Sequence, residues 1–234
     1  MTDIEPTAAH DLVLANRILA REDVLDAFGH VSLRDPADPG RFLIARSLSP
    51  AQVTAADLQV LDLDGRRLAG DERASYAEVA IHAAVYRRRP DVRAVCHSHA
   101  APIIPFSVTR TPLRPITHVA AVVGGDVPTW DSADLGPDLL VRTAPQGDAL
   151  ARTLGTGAAA LMRGHGCVVV AADVRALTLI AIRLVANAEQ LSASLQLGKV
   201  RYLSAEEIAR SSAAILAPLS LDRAWGYWVS RVEG

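Results

Sequence analysis

Apolar residues recur along this chain first with a helical period and then with an alternating one. Across residues 7 to about 22, Leu14 and Ile18 stand four apart, and Leu12, Ala15 and Leu19 form an i, i+3, i+7 row. That spacing predicts an amphipathic helix. Gly29 then interrupts the chain, and Val31 and Leu33 alternate with polar neighbours as in a strand. Asp35-Pro36-Ala37-Asp38-Pro39-Gly40 has the composition of a turn, and Phe42-Leu43-Ile44-Ala45 returns as a second strand. Residues 58–63 predict a third strand, followed by the tight Asp64-Gly65 turn.

The second half alternates in larger blocks. Residues 75–86 predict a helix, with Pro90 closing the segment. The β-branched runs at 92–97, 119–123 and 167–171 predict strands. Helices are expected at about 147–154 and 174–197, the latter long and rich in Ala and Leu. We find no repeat, low-complexity segment or linker, so residues 1–234 are expected to form one domain. Short hairpins imply antiparallel pairing, and the regular βαβ rhythm is missing. The expectation is an α/β protein in which a mixed sheet is covered by helices on both faces.

Composition narrows the function. Half of the 234 residues are hydrophobic, 21% are charged and the net charge is −2, as in a globular enzyme. With no long basic run, nucleic acid and anionic membrane are not the expected partners. Arg87-Arg88-Arg89 suits the solvated end of a helix. No apolar run reaches membrane-spanning length, and no leader-like segment is seen, so a cytoplasmic location is expected. Cys96 and Cys167 are too few for a disulfide framework and read as buried packing, with metal ligation as the alternative.

The chemistry concentrates in Cys96-His97-Ser98-His99. If residues 95–99 form a strand, His97 and His99 point to one face, because strand side chains repeat with period two. His165 lies in a Gly164-His165-Gly166 turn and can supply a third imidazole. Three histidines would leave a divalent ion with open positions, the mark of a catalytic site. Zinc, manganese, cobalt and iron all suit that donor set. Glu78 and His82 stand four apart on the predicted helix face. Glu78 reads as a proton-transfer group near the ion or as a surface partner of an arginine, and His82 as packing or as support for a ligand. His30, entering a strand, is a substrate contact or a structural polar residue. Arg46-Ser47-Leu48-Ser49-Pro50 offers a guanidinium and hydroxyls to an anionic oxygen. His118 can be read either way, and His10 as structural or exposed.

Five segments in this order resemble the class II aldolase/adducin family: Phe28-Gly29-His30-Val31-Ser32, Ser47-Leu48-Ser49-Pro50, Ser75-Tyr76-Ala77-Glu78, His97-Ser98-His99 and Gly164-His165-Gly166. The resemblance runs from about residue 7 to 196. It implies a three-layer αβα fold with a mixed, largely antiparallel central sheet. It also implies a homotetramer with sites near subunit interfaces, an ion on His97, His99 and His165, and Glu78 as the acid/base. The chain departs from the family's sugar-phosphate aldolases, which carry Gly-Asn, Thr-Gly and Ser-Ser where this chain has Gly29-His30, Ser47 to Pro50 and Tyr76-Ala77. Those lost features form a phosphate cradle of small hydroxyls, glycine and backbone N–H groups. The variants present resemble the decarboxylase branch instead, as does Arg223-Ala224-Trp225-Gly226-Tyr227-Trp228 near the end. Its aromatic residues would wall a flat ring or dock the last helix on a neighbouring subunit.

The expected activity is therefore metal-dependent decarboxylation of a hydroxylated aromatic or heteroaromatic carboxylate or dicarboxylate. Glu78 and His30 are the candidate catalytic groups. Arg46, Ser47, Ser49, Gly29, His118 and Tyr227 are the candidate substrate contacts. Retro-aldol cleavage of an unphosphorylated hydroxy-keto acid or sugar is the alternative. A metal-dependent oxygenase and a non-enzymatic adducin-like module rank below it.

Overall fold

The computed structural model describes residues 5–233. Its first helix, α1 (Pro6–Arg21), starts where the Glu5 carboxylate accepts from the backbone N–H groups of Thr7 and Ala8. Then come β1 (His30–Arg34), β2 (Arg41–Ala45), β3 (Leu58–Asp62) and β4 (Arg67–Gly70), joined as antiparallel neighbours. Helix α2 (Val79–Arg88) leads into β5 (Ala94–Ser98), followed by the short α3 (Ile104–Val108) and β6 (Thr129–Trp130). The remainder is α4 (Ala144–Leu154), β7 (Ala159–Met162), β8 (Gly166–Ala171), α5 (Val174–Leu197), α6 (Ala205–Ile215) and α7 (Pro218–Val229).

The eight strands form one sheet in the order β4-β3-β2-β1-β5-β8-β7-β6. Every pairing is antiparallel except β6 with β7, which makes the sheet mixed. Helices α2 and α4 pack together on one face, and α1 and α5 on the other. Strands β1, β5 and β8 are buried along their whole length, as a sheet covered on both faces requires. No described helix is long and apolar enough to cross a membrane. Both cysteines are free and buried.

Three expected elements differ, α4 only in starting at Ala144 instead of about residue 147. The apolar run 119–123 is a 3-10 turn (His118–Val123) instead of a strand, with Ala120 to Val123 buried against α5 and α6. A short apolar run buried on every side has no period to betray its conformation. The helix expected from residue 75 begins at Val79, with Glu78 as its non-helical cap (φ −106°, ψ 26°). Tertiary bonds hold the preceding residues out of the helix: Ser75 Oγ donates to Gln59 Oε1 at 2.7 Å, and Tyr76 O–H donates to the Leu48 carbonyl at 2.7 Å.

Candidate metal centre and active site

Strand pairing sets the position of the site. On β1 and β5, His30 lies opposite His97, and on β5 and β8, Ser98 lies opposite Cys167. His99 follows one residue beyond the end of β5 and keeps the two-residue spacing from His97. His165 stands in the β7–β8 turn. Gly164 adopts φ +63°, a left-handed conformation that glycine enters without strain. Gly166 lies against the Ser98 carbonyl, so close that any Cβ would collide with it. This backbone approach brings His165 alongside the end of β5.

His97, His99, His165 and Glu78 each turn one ligand atom toward a common point, all within 4.8 Å of one another. The rings of His99 and His165 stack at 5.1 Å, with His97 edge-on to both. Every Nδ1 has an oxygen partner: the Cys167 carbonyl for His97 (3.0 Å), Asp26 Oδ1 for His99 (3.2 Å) and the Leu139 carbonyl for His165 (2.8 Å). An oxygen acceptor at Nδ1 places the ring proton there and leaves Nε2 as a lone pair. His97 Nε2 is sealed from solvent without a hydrogen-bond partner. A buried lone pair of this kind is costly unless a cation meets it. The donor set therefore fits a divalent ion on His97, His99 and His165.

Glu78 is held at the centre's edge. Its Oε1 accepts from the Val141 backbone N–H at 2.8 Å, and its Oε2 stands 3.5 Å from Nε2 of both His97 and His165. Burial pushes this carboxyl up, but positive charge carried at the facing His165 and His97 rings outweighs burial and holds it well below the usual carboxylate range, in keeping with a cation at those nitrogens. Burial acts to lower His165, yet Glu78 outweighs it and raises the ring above its ordinary value.

A cavity of about 470 Å³ opens beside the cluster, with Glu78, His99, His165, His30, Ser47 and Tyr76 among its lining residues. Phe28, 73% exposed, stands at its wall with Leu140. The Tyr76 ring packs on His30 with centroids 4.4 Å apart. Burial pushes the Tyr76 hydroxyl up to about 12, so it stays protonated and bonded to Leu48. Burial, helped by the neighbouring His82 and His97, pushes His30 well below its ordinary value, and burial takes His82 down to about 3. Both rings are neutral near pH 7.

The other expected contacts are distributed differently. Gly29 precedes β1, with its N–H on Asp26 Oδ1 at 2.9 Å. Arg46 is engaged by Asp57 at 2.8 Å and is outside the cavity lining. Ser49 caps the 3-10 turn Pro50–Gln52 and is also outside that lining. His118 and Tyr227 line a second cavity of about 650 Å³, together with Arg183, Arg223 and Trp228. Within one chain they are not brought to the histidine cluster. Trp225 and Trp228 are buried, whereas Tyr227 is 55% exposed on α7.

Sequence reading passed over three contributors. Asp26 orients His99, and its signal was the Asp26–Gly29 turn, where Asp26 Oδ1 also accepts from the Phe28 N–H. The Val141 N–H and the Leu139 carbonyl are backbone groups, which no residue type could announce.

A mixed sheet that gathers three histidines and a glutamate beside a cavity is the architecture of a class II aldolase-type lyase. The chain belongs to the class II aldolase and adducin family: residues 10–191 match the Class II Aldolase and Adducin N-terminal domain. It is 32% identical over 242 residues to the decarboxylase TropJ of Talaromyces stipitatus, covering 92% of this chain and 90% of that protein. It is 29% identical over 190 residues to the 3,4-dihydroxyphthalate decarboxylase of Arthrobacter keyseri, covering 75% and 73%. The fold superposes on L-fuculose 1-phosphate aldolase from Glaciozyma antarctica PI12 with a TM-score of 0.81 at 22% identity, covering 100% and 92%. The expected αβα architecture is thus the observed one. Decarboxylases and aldolases are lyases, and this chain is an enzyme of that class.

Proposed function

We propose that this protein is a divalent-metal-dependent decarboxylase of a hydroxylated aromatic or heteroaromatic carboxylate or dicarboxylate. The observation that carries the reading is the wall facing the cluster. Tyr76 lies against His30, and its hydroxyl is occupied by the Leu48 carbonyl. That wall offers a flat aromatic surface where a phosphate would need several donors. Arg46 is neutralised by Asp57, which further disfavours a phosphorylated substrate. The decarboxylase names of TropJ and of the Arthrobacter protein support the same choice.

In this reading His97, His99 and His165 hold the ion, whose identity is open among zinc, manganese, cobalt and iron. A divalent ion there supplies a Lewis acid for the charge that develops as the C–C bond breaks. The chain's own groups do the rest. His30 and Ser47 line the cavity and hold the carboxylate that is retained. The Tyr76 face and Phe28 orient the ring and exclude water from one side. Glu78, anchored by Val141 N–H and ionised at rest, takes the proton of the substrate's ring hydroxyl and returns it to the ring carbon that carbon dioxide leaves. A homotetramer with interfacial sites and one domain over residues 1–234 complete the proposal, and light scattering tests the assembly.

The test is incubation of metal-loaded protein with 3,4-dihydroxyphthalate and with related hydroxylated aromatic acids. Metal-dependent release of one carbon dioxide per ring, without oxygen uptake, is expected. Inertness toward these acids, combined with cleavage of a hydroxy-keto acid, would overturn the proposal in favour of retro-aldol chemistry.

A further inference from the structure

Four buried side chains form a line that ends at the cavity. His82 and Tyr86 lie four apart on α2, and His30 and Ser32 lie two apart on β1, so the two pairs face each other. Tyr86 O–H meets Ser32 Oγ at 2.8 Å, Ser32 Oγ meets His82 Nδ1 at 2.6 Å, and His82 Nε2 meets His30 Nδ1 at 2.7 Å. With neutral rings, each imidazole has one proton to give, and the line can run in only two directions.

The Tyr86 end decides between them. If the line runs away from His30, Ser32 donates to Tyr86, and Tyr86 must place its own proton on the Arg93 carbonyl at 3.4 Å. That is a poor bond, to an oxygen that already accepts the Arg34 N–H at 2.7 Å. If the line runs toward His30, Tyr86 donates to Ser32, Ser32 to His82 Nδ1, and His82 Nε2 to His30 Nδ1. Each donor from Tyr86 to His82 then has a partner at 2.8 Å or less, and only His30 Nε2–H is left free to face the cavity. The Arg34 guanidinium, 4.6 Å from the Tyr86 ring centre, strengthens the phenol as a donor. Bonds aligned in one sense also polarise one another.

We propose that Tyr86, Ser32 and His82 are positioning residues that hold His30 as its Nε2–H tautomer, so that His30 meets the substrate as a hydrogen-bond donor and not as the proton source. The second half follows from proton balance. A proton leaving His30 Nε2 for a substrate carbon would be replaced at Nδ1 from His82. His82 would be refilled at Nδ1 from Ser32, and Ser32 from Tyr86. The deficit would end as a buried Tyr86 phenolate, which burial opposes. The line is therefore a dead end for net proton delivery, which leaves Glu78 as the proton-exchanging group. What His30 donates to rests on the decarboxylase reading; the tautomer itself does not.

Selectively ¹⁵N-histidine-labelled protein, loaded with zinc and free of substrate, tests this. The His30 signals are assigned by their loss in His30→Gln. We expect His30 Nε2 to resonate as a protonated, pyrrole-type nitrogen and Nδ1 as an unprotonated acceptor. Tyr86→Phe removes the donor that sets the direction. In that variant the Nδ1–H form should grow in, and the KM for the aromatic acid should rise on the order of 2–10-fold, the worth of one hydrogen bond, at unchanged zinc content. Should Tyr86→Phe fold poorly, His82 replaces it as the test position. His82→Gln, which can still donate to Nδ1, keeps the Nε2–H signal, and His82→Leu loses its dominance. A wild-type His30 protonated at Nδ1, or a tautomer ratio untouched by Tyr86→Phe, overturns the proposal. An Nε2–H signal in a protein that decarboxylates nothing would instead overturn the functional reading and leave the hydrogen-bonded line standing.

Discussion

His99 and His165 bring their Nε2 atoms to 3.2 Å, while Asp26 and the Leu139 carbonyl engage the opposite nitrogen of each ring. Two neutral imidazoles so held aim lone pairs at each other, and only a cation between them, a proton or a metal, relieves the contact. Asp26 would therefore support the candidate metal centre although it touches no metal-facing atom. Asp26→Ala should weaken metal binding about 10–100-fold, the usual cost of losing such a partner, with the fold intact. Competition against a chelator measures it. Unchanged affinity would exclude Asp26 as a support of the centre.

Most of this centre was readable because it follows periodicity. His97 and His99 share a face through the strand period, and the two glycines around His165 announced a turn. The sheet was legible where short strand-forming runs are bounded by turn residues, as around β1 to β3, with the turn at 35–40 before β2 and Asp64-Gly65 after β3. It was illegible at Val119 to Val123, where burial on all sides erases the pattern. Helix α6 went unread although Ser204 and Glu207 form a capping box, and Thr143 with Gln146 marked the true start of α4 in the same way. Arg46 shows a different limit. Its residue type suits an anionic substrate, but its partner, Asp57, is eleven residues away, and the salt bridge is visible only once β2 and β3 are paired.

Glu78 is fixed at one oxygen by Val141 N–H and faces the cluster with the other. Replacing that carboxylate by a carboxamide of the same shape removes its capacity to take up a proton while retaining much of its packing. Glu78→Gln should keep the metal and lose on the order of 10²–10⁴-fold in turnover. Metal analysis beside single-turnover kinetics tests both halves. Loss of the metal would make Glu78 a ligand first, and full turnover would exclude it from proton transfer.

The buried neutral histidines impose an acid limit on stability. His82 falls from 6.5 to about 3 on burial, and His30 is lowered in the same direction. Between those values the unfolded chain binds the extra proton, so stability rises with pH; it is complete above about 6.5 and is lost as pH falls toward 3. At pH 5 one such ring costs about 2 kcal/mol relative to neutral pH. Denaturant titrations from pH 7.5 to 5 should show this loss, and His82→Gln should flatten the slope whatever it does to stability at pH 7.5. An equal slope in the variant would mean that His82 is not held neutral.

Gly166 couples the fold to the centre most directly. It sits between His165 and Cys167, whose carbonyl orients His97, and its α-carbon is pressed against the Ser98 carbonyl of β5. A methyl group there cannot be absorbed by a rotamer change, because the atom it meets is backbone. Gly166→Ala must open the β5–β8 pairing, moving His165 and the Cys167 carbonyl away from the two histidines that follow Cys96. The cost in stability should be roughly 1–3 kcal/mol, in the range of overpacked buried sites. Metal affinity should fall further than that loss alone predicts, since one of the three proposed ligands, His165, moves away from the other two. Thermal unfolding with and without metal separates the effects. The metal-induced rise in Tm should shrink sharply in Gly166→Ala, and a rise equal to that of the unaltered protein would show that the β7–β8 turn does not set the geometry of the centre.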